Sequence, residues 1–97
     1  MPAIAEENID TRRRRAYFRA WRRGTREMDL LVGRFADAFL PQCDAAGLAE
    51  FEALLALPDP ALYAFVTGRE EVPPNHDSQT LRSLIAHHRR EPTQNAE

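Results

Sequence analysis

A chain of 97 residues with 43% apolar and 29% charged residues has room for one small folded domain and a modest core. No run of ~18 apolar residues occurs, which excludes a membrane-spanning helix; the single cysteine, Cys43, excludes an internal disulfide and a multi-cysteine zinc site. Net charge is −2, yet all 13 basic residues are arginines and eight of them fall between Arg12 and Arg26, so one basic segment stands in an otherwise acidic chain.

Residues 1–8 read as a flexible leader. Glu6 and Glu7, with Asp10 just beyond, and the lack of an apolar stretch fit neither a secretory signal nor a mitochondrial presequence. A cytoplasmic protein is expected. Residues 9–91 read as a single helical domain, because apolar residues recur at helical spacing and no segment alternates like a strand. The first helix is expected from Ile9 to Arg23, with Tyr17, Phe18 and Trp21 as its apolar contacts. Gly24 suits the left-handed position that closes a helix. Thr25 is placed to cap the second helix, whose inner face carries Met28, Leu31, Val32, Phe35 and Phe39. Glu27 falls in its first turn, where the helix dipole favours an acid, and Pro41 marks its end.

A third helix is expected from Ala45 to Leu57, facing inward with Leu48, Phe51, Leu54 and Leu55. Pro58-Asp59-Pro60 predicts a sharp boundary, with Asp59 as the cap and Pro60 in the first helical position. The fourth helix carries Leu62, Phe65 and Val66 and stops at Gly68. A polar loop over Arg69–His76 leads to a fifth helix, capped by Asp77 or Ser78, with Leu81, Leu84, Ile85 and His88 on its face. A flexible tail is expected over 92–97. The sum is an all-α fold, a compact five-helix bundle.

No catalytic constellation emerges from these residues. His87 and His88 are adjacent and so point to different sides of a helix, whereas metal ligands on one face need i, i+4 spacing. His88 is read as a half-buried helix residue. No glycine-rich phosphate loop is present. Glu27 and Asp29 are two apart on a helix and diverge, which does not make a carboxylate pair. Cys43, in a loop, is read as incidental. Two polar features remain. The run Arg12-Arg13-Arg14-Arg15 could grip phosphates, which gives a nucleic-acid-binding module as the alternative reading. The corner Arg22-Arg23-Gly24-Thr25-Arg26-Glu27-Met28-Asp29 joins two helices and crowds opposed charges around a glycine. Arg22 and Arg23 offer donors, Glu27 and Asp29 offer acceptors, and Gly24 lets another backbone come close. These five residues are the candidate partner-binding site.

Arg23-Gly24-Thr25-Arg26-Glu27 also resembles the Arg-Gly-x-x-Glu hallmark of the succinate dehydrogenase assembly factors that promote covalent flavin attachment, SdhE in bacteria and Sdh5 in mitochondria. Arg22 and Asp29 match the common extension of that motif. Phe51-Glu52-Ala53-Leu54-Leu55 and Asp59-Pro60-Ala61-Leu62-Tyr63 resemble two further family segments, Phe-x-x-Leu-Leu and Asp-Pro-x-Leu-(Phe/Tyr), in order and at the family's spacing from about Arg14 to Arg89. Arg19 and Phe65 depart from it, standing where relatives carry tryptophan. The resemblance implies a five-helix bundle and a chaperone-like factor, not an enzyme. It implies as partner the flavoprotein subunit of succinate dehydrogenase, with that of fumarate reductase as a second candidate. The factor would hold no cofactor of its own: FAD would be joined to a histidine of the partner by the partner's own chemistry.

Overall fold

Asn8 opens the first helix. In the computed structural model, which describes residues 8–90, its side-chain oxygen accepts from the backbone N–H of Asp10 at 2.7 Å and of Thr11 at 3.4 Å. Apart from Asn8, the expected leader lies outside the described residues, and so does the expected tail. Five α-helices follow: α1 (Ile9–Ala20), α2 (Arg26–Phe39), α3 (Ala45–Leu55), α4 (Asp59–Thr67) and α5 (Gln79–Arg90). Short 3₁₀ turns at Leu40–Gln42 and Pro74–His76 are the only additions, and no strand occurs among the described residues.

Local chemistry sets most of these boundaries. The Thr25 hydroxyl accepts from the Met28 N–H (3.2 Å), Asp44 accepts from Gly47 (2.8 Å) and Ser78 accepts from Leu81 (3.0 Å). Of the two cap candidates for α5, Ser78 is therefore the one used. Asp77 instead takes both forks of Arg82, at 2.9 and 2.8 Å, and this pairing holds its carboxyl below the usual carboxylate range. Gly68 ends α4 in the left-handed conformation, φ +81°.

The core collects where α2, α3 and α5 meet. Phe51, Leu48, Leu62, Leu81, Leu84, Val32 and Val66 are fully enclosed. Phe35, Phe39 and Phe51 stack with ring centres 5.0–6.0 Å apart, and the His87 ring meets the edge of Phe35 at 5.7 Å. Each such side chain contributes about 1.5–3 kcal/mol on burial. Phe39 closes the cluster from the half-exposed end of α2.

Helix α1 departs from expectation. It stops at Ala20, three residues before Arg23, and it docks through two alanines, Ala16 and Ala20, with Ile9 packed at its start. Tyr17 and Phe18 point outward, 46% and 55% exposed. The reason is close packing: α1 lies against both α2 and α3, and only small side chains fit in the seam. Arginines then bind the helix in place from its rim. Arg12 donates to both oxygens of Glu52 on α3, at 3.1 and 2.6 Å, and Arg13 donates to the Cys43 carbonyl at 2.6 Å. Two members of the four-arginine run, Arg12 and Arg13, are thereby bonded to other elements of the bundle.

Trp21 does make the expected apolar contact, from the residue just past α1. Its ring lies on Gly33 of α2, and its indole N–H donates to Asp37 at 3.2 Å. A Cβ at Gly33 would sit 2.3–2.6 Å from the ring atoms. Glycine inside a helix costs about 1 kcal/mol relative to alanine, so Gly33→Ala would stabilise the chain if the space were open. We expect the opposite: a loss of about 1–3 kcal/mol from overpacking, with a shift in the emission of the chain's single tryptophan. A rise in melting temperature with unchanged emission would contradict this packing.

Candidate functional site

The corner between α1 and α2 is built around Arg23. Its side chain is only 9% exposed. Nη1 donates to the Leu55 carbonyl at 2.7 Å and Nη2 to the Leu57 carbonyl at 2.7 Å. Nε and Nη2 also reach Asp59 Oδ1, at 2.8 and 2.6 Å. The last carbonyls of a helix have no partners within it, and its C-terminal end carries partial negative charge. One guanidinium therefore satisfies the end of α3 and pairs with the first residue of α4. This explains two departures from the sequence expectation. Helix α3 ends at Leu55 rather than Leu57, and the cap position before α4 falls on Pro58, because the Asp59 carboxylate is drawn to Arg23 instead of to a backbone amide.

Asp29 completes the turn from the other side. Its Oδ1 accepts from the backbone N–H of Arg23 at 2.6 Å and of Gly24 at 3.3 Å. Gly24 has φ +127°, a conformation that L side chains rarely adopt, and a Cβ there would meet nothing within 4 Å. The glycine is thus required by the backbone, and the space beside it is open.

Arg22 and Glu27 face outward. The Arg22 guanidinium lies 3.9 Å from the centre of the Phe18 ring, a cation–π contact that gives the exposed aromatic a polar neighbour. The Glu27 carboxylate lies beside Tyr63 on α4, and its pull on the hydroxyl proton, then its charge, raise the Tyr63 phenol above its ordinary value. Arg69 stands over the Tyr63 ring at 5.5 Å and pulls the opposite way.

All five predicted residues thus share one corner, but with different surroundings. Arg23 and Asp29 are turned into the fold; Arg22, Gly24 and Glu27 line its surface. Two shallow depressions flank Arg22, one lined by Phe18, Arg19, Leu55 and Pro58, the other by Trp21, Gly24, Thr25 and Leu30. Neither lining contains a serine, cysteine or histidine. Among the described residues, no group of three or more His, Cys, Asp and Glu side chains could hold a metal ion. No described helix is long and apolar enough to cross a membrane. Sequence reasoning missed Asp59 and Tyr63 as members of this corner. Both lie in the Asp-Pro-Ala-Leu-Tyr segment, whose spacing places them one turn apart on α4.

Two measurements check this arrangement. Arg23→Ala removes a nearly buried charge with four contacts and should cost on the order of 3 kcal/mol in denaturant unfolding, whereas Glu27→Ala should stay near 0.5 kcal/mol. Equal losses would contradict the inward placement of Arg23. Glu27→Gln removes the charge that raises Tyr63, so ultraviolet titration should show one of the two tyrosines ionising at lower pH than in the parent chain. An unchanged titration would contradict the placement of Glu27 beside Tyr63.

A family model, Sdh5, described as flavinator of succinate dehydrogenase, matches residues 14–89. A protein of Acetobacter pasteurianus named FAD assembly factor SdhE is 39% identical over 82 residues, which cover 84% of this chain and 75% of the relative. Two proteins named succinate dehydrogenase assembly factor 2, mitochondrial, also match. That of Dictyostelium discoideum is 30% identical over 82% of this chain and 56% of its own length. That of Debaryomyces hansenii is 37% identical over 73% of this chain and 50% of its own length. The chain spans about half the length of these mitochondrial relatives and three quarters of the bacterial one. The Arg-Gly-x-x-Glu corner and most of the five-helix fold lie within the matched region, and the chain belongs to the Sdh5 family, the flavinators of succinate dehydrogenase.

Proposed function

We propose that this protein is an assembly factor that binds the flavoprotein subunit of succinate dehydrogenase and promotes covalent attachment of FAD to it. The observation that carries the reading is the state of the corner: Gly24 and Glu27 are exposed on a turn that Arg23 and Asp29 hold from within. A surface held in shape before binding loses little conformational freedom on contact, which favours recognition of a folded partner. Arg22, Gly24 and Glu27 would meet the partner directly; Arg23 and Asp29 would keep them in place.

The factor acts by binding rather than by bond chemistry of its own. FAD is carried by the partner, and the attachment takes place there. By binding one arrangement of the flavoprotein more tightly than others, the factor raises the population in which flavin and acceptor are aligned. The amount of that shift is limited by the difference in affinity for the two arrangements. The reading places the protein in the cytoplasm.

The arginine run is less suited to nucleic acid than its composition implies. Arg12 is bonded to Glu52 and Arg13 to the Cys43 carbonyl, so part of the charge is neutralised or directed inward. Binding through phosphates would also weaken steeply with salt.

The test is in-gel flavin fluorescence of the denatured succinate dehydrogenase flavoprotein subunit, from cells with the chain, without it, or with Gly24→Arg. The substitution strains a turn with φ +127° by about 1–2 kcal/mol and projects a long side chain from the open corner. Fluorescence should fall at least several-fold both in the deletion and with Gly24→Arg, while the variant remains folded by circular dichroism. Equal fluorescence in all three strains would overturn the proposal for this flavoprotein.

A further inference from the structure

Helix α4 lies against both ends of the motif. Asp59 and Tyr63 are four residues apart on it and so lie on one face. Arg23 and Glu27 are also four residues apart, at the two charged ends of Arg-Gly-x-x-Glu. Asp59 takes the Nε and Nη2 donors of Arg23, and Tyr63 lies beside the Glu27 carboxylate. The turn that carries Gly24 is therefore fastened through Arg23 to a helix more than thirty residues along the chain.

A guanidinium has five N–H donors. Those of Arg23 reach Leu55, Leu57 and Asp59, and the side chain is nearly enclosed. This leaves it no fork to offer a partner. Of its contacts, only Asp59 is a charge, and only Asp59 is a side chain that substitution can remove. We infer that Asp59 is a positioning residue for recognition of the flavoprotein: through Arg23 it sets where Gly24 and Glu27 stand relative to α3 and α4. This inference rests on the assembly-factor reading above.

The experiment measures two quantities for the parent chain, Asp59→Asn, Asp59→Glu and Gly24→Arg. One is the affinity for the purified succinate dehydrogenase flavoprotein subunit. The other is amide hydrogen exchange of the free chain, compared between residues 22–28 and the core of α2 and α5. Asp59→Asn keeps the side-chain shape and removes the charge. It should weaken binding about 10-fold and speed exchange over residues 22–28 while the core amides are unchanged. Asp59→Glu keeps the carboxylate in the first turn of α4 and should bind within about 3-fold of the parent.

Parent-like binding by Asp59→Asn, alongside loss of binding by Gly24→Arg, would overturn the positioning role and leave the corner reading intact. Weaker binding with unchanged exchange over 22–28 would mean that Asp59 touches the partner itself, which also overturns it. Faster exchange throughout the core would reduce Asp59 to a general stabilising residue, again contrary to the inference. Parent-like binding by Gly24→Arg would be a failure of the underlying reading, and is recognisable as such.

Discussion

The guanidinium of Arg23 sits where three demands meet. The carbonyls that end α3 need donors, the start of α4 favours a negative side chain, and a charge removed from water needs partners. Arg23 meets the first through Leu55 and Leu57 and the third through those carbonyls and Asp59. Asp59 meets the second from the first turn of α4. A lysine could not do the same, since it lacks a planar fork able to reach separate acceptors at once. The rest of the corner depends on this placement. With the side chain of Arg23 anchored, its backbone N–H and that of Gly24 are brought to Asp29, and the turn into α2 follows.

The corner divides its residues by direction. Two charged groups are turned inward to hold the turn, and the remaining polar groups are left on the surface around an open glycine. Such a surface has good capacity for recognition, because its shape exists before a partner arrives. Membership of a family of flavinators fits this physical character. The nearby arginines serve a different purpose. Helix α1 buries only alanines in its seam, which supply little apolar area, and the long arginine side chains cover and tie down its flank.

Much of the fold was legible in the sequence because its signals are local. Apolar periodicity marked the inner faces of α2, α3, α4 and α5, and the cap at Thr25 and the stop at Gly68 each depend on atoms within a few residues. The corner was equally legible as a glycine among opposed charges, and its family likeness could be read from the order of short segments. Helix α1 was misread in its packing because periodicity cannot tell whether Tyr17 and Phe18 or Ala16 and Ala20 face the core. That choice depends on the width of the seam left by α2 and α3.

By itself, then, the chain determined five helices, the inner faces of α2 to α5, and a polar turn at Arg23 to Asp29, since each is set by backbone preferences and spacing along a few turns. Tertiary structure alone decided which charges of that turn face the solvent. Arg22 and Arg23 are neighbours with the same side chain, yet one rests on the exposed ring of Phe18 and the other is enclosed by Leu55, Leu57 and Asp59. Nothing local separates them. The difference arises because α3 ends and α4 begins beside one residue and not the other, and a free helix end is a stronger site for a guanidinium than open water is.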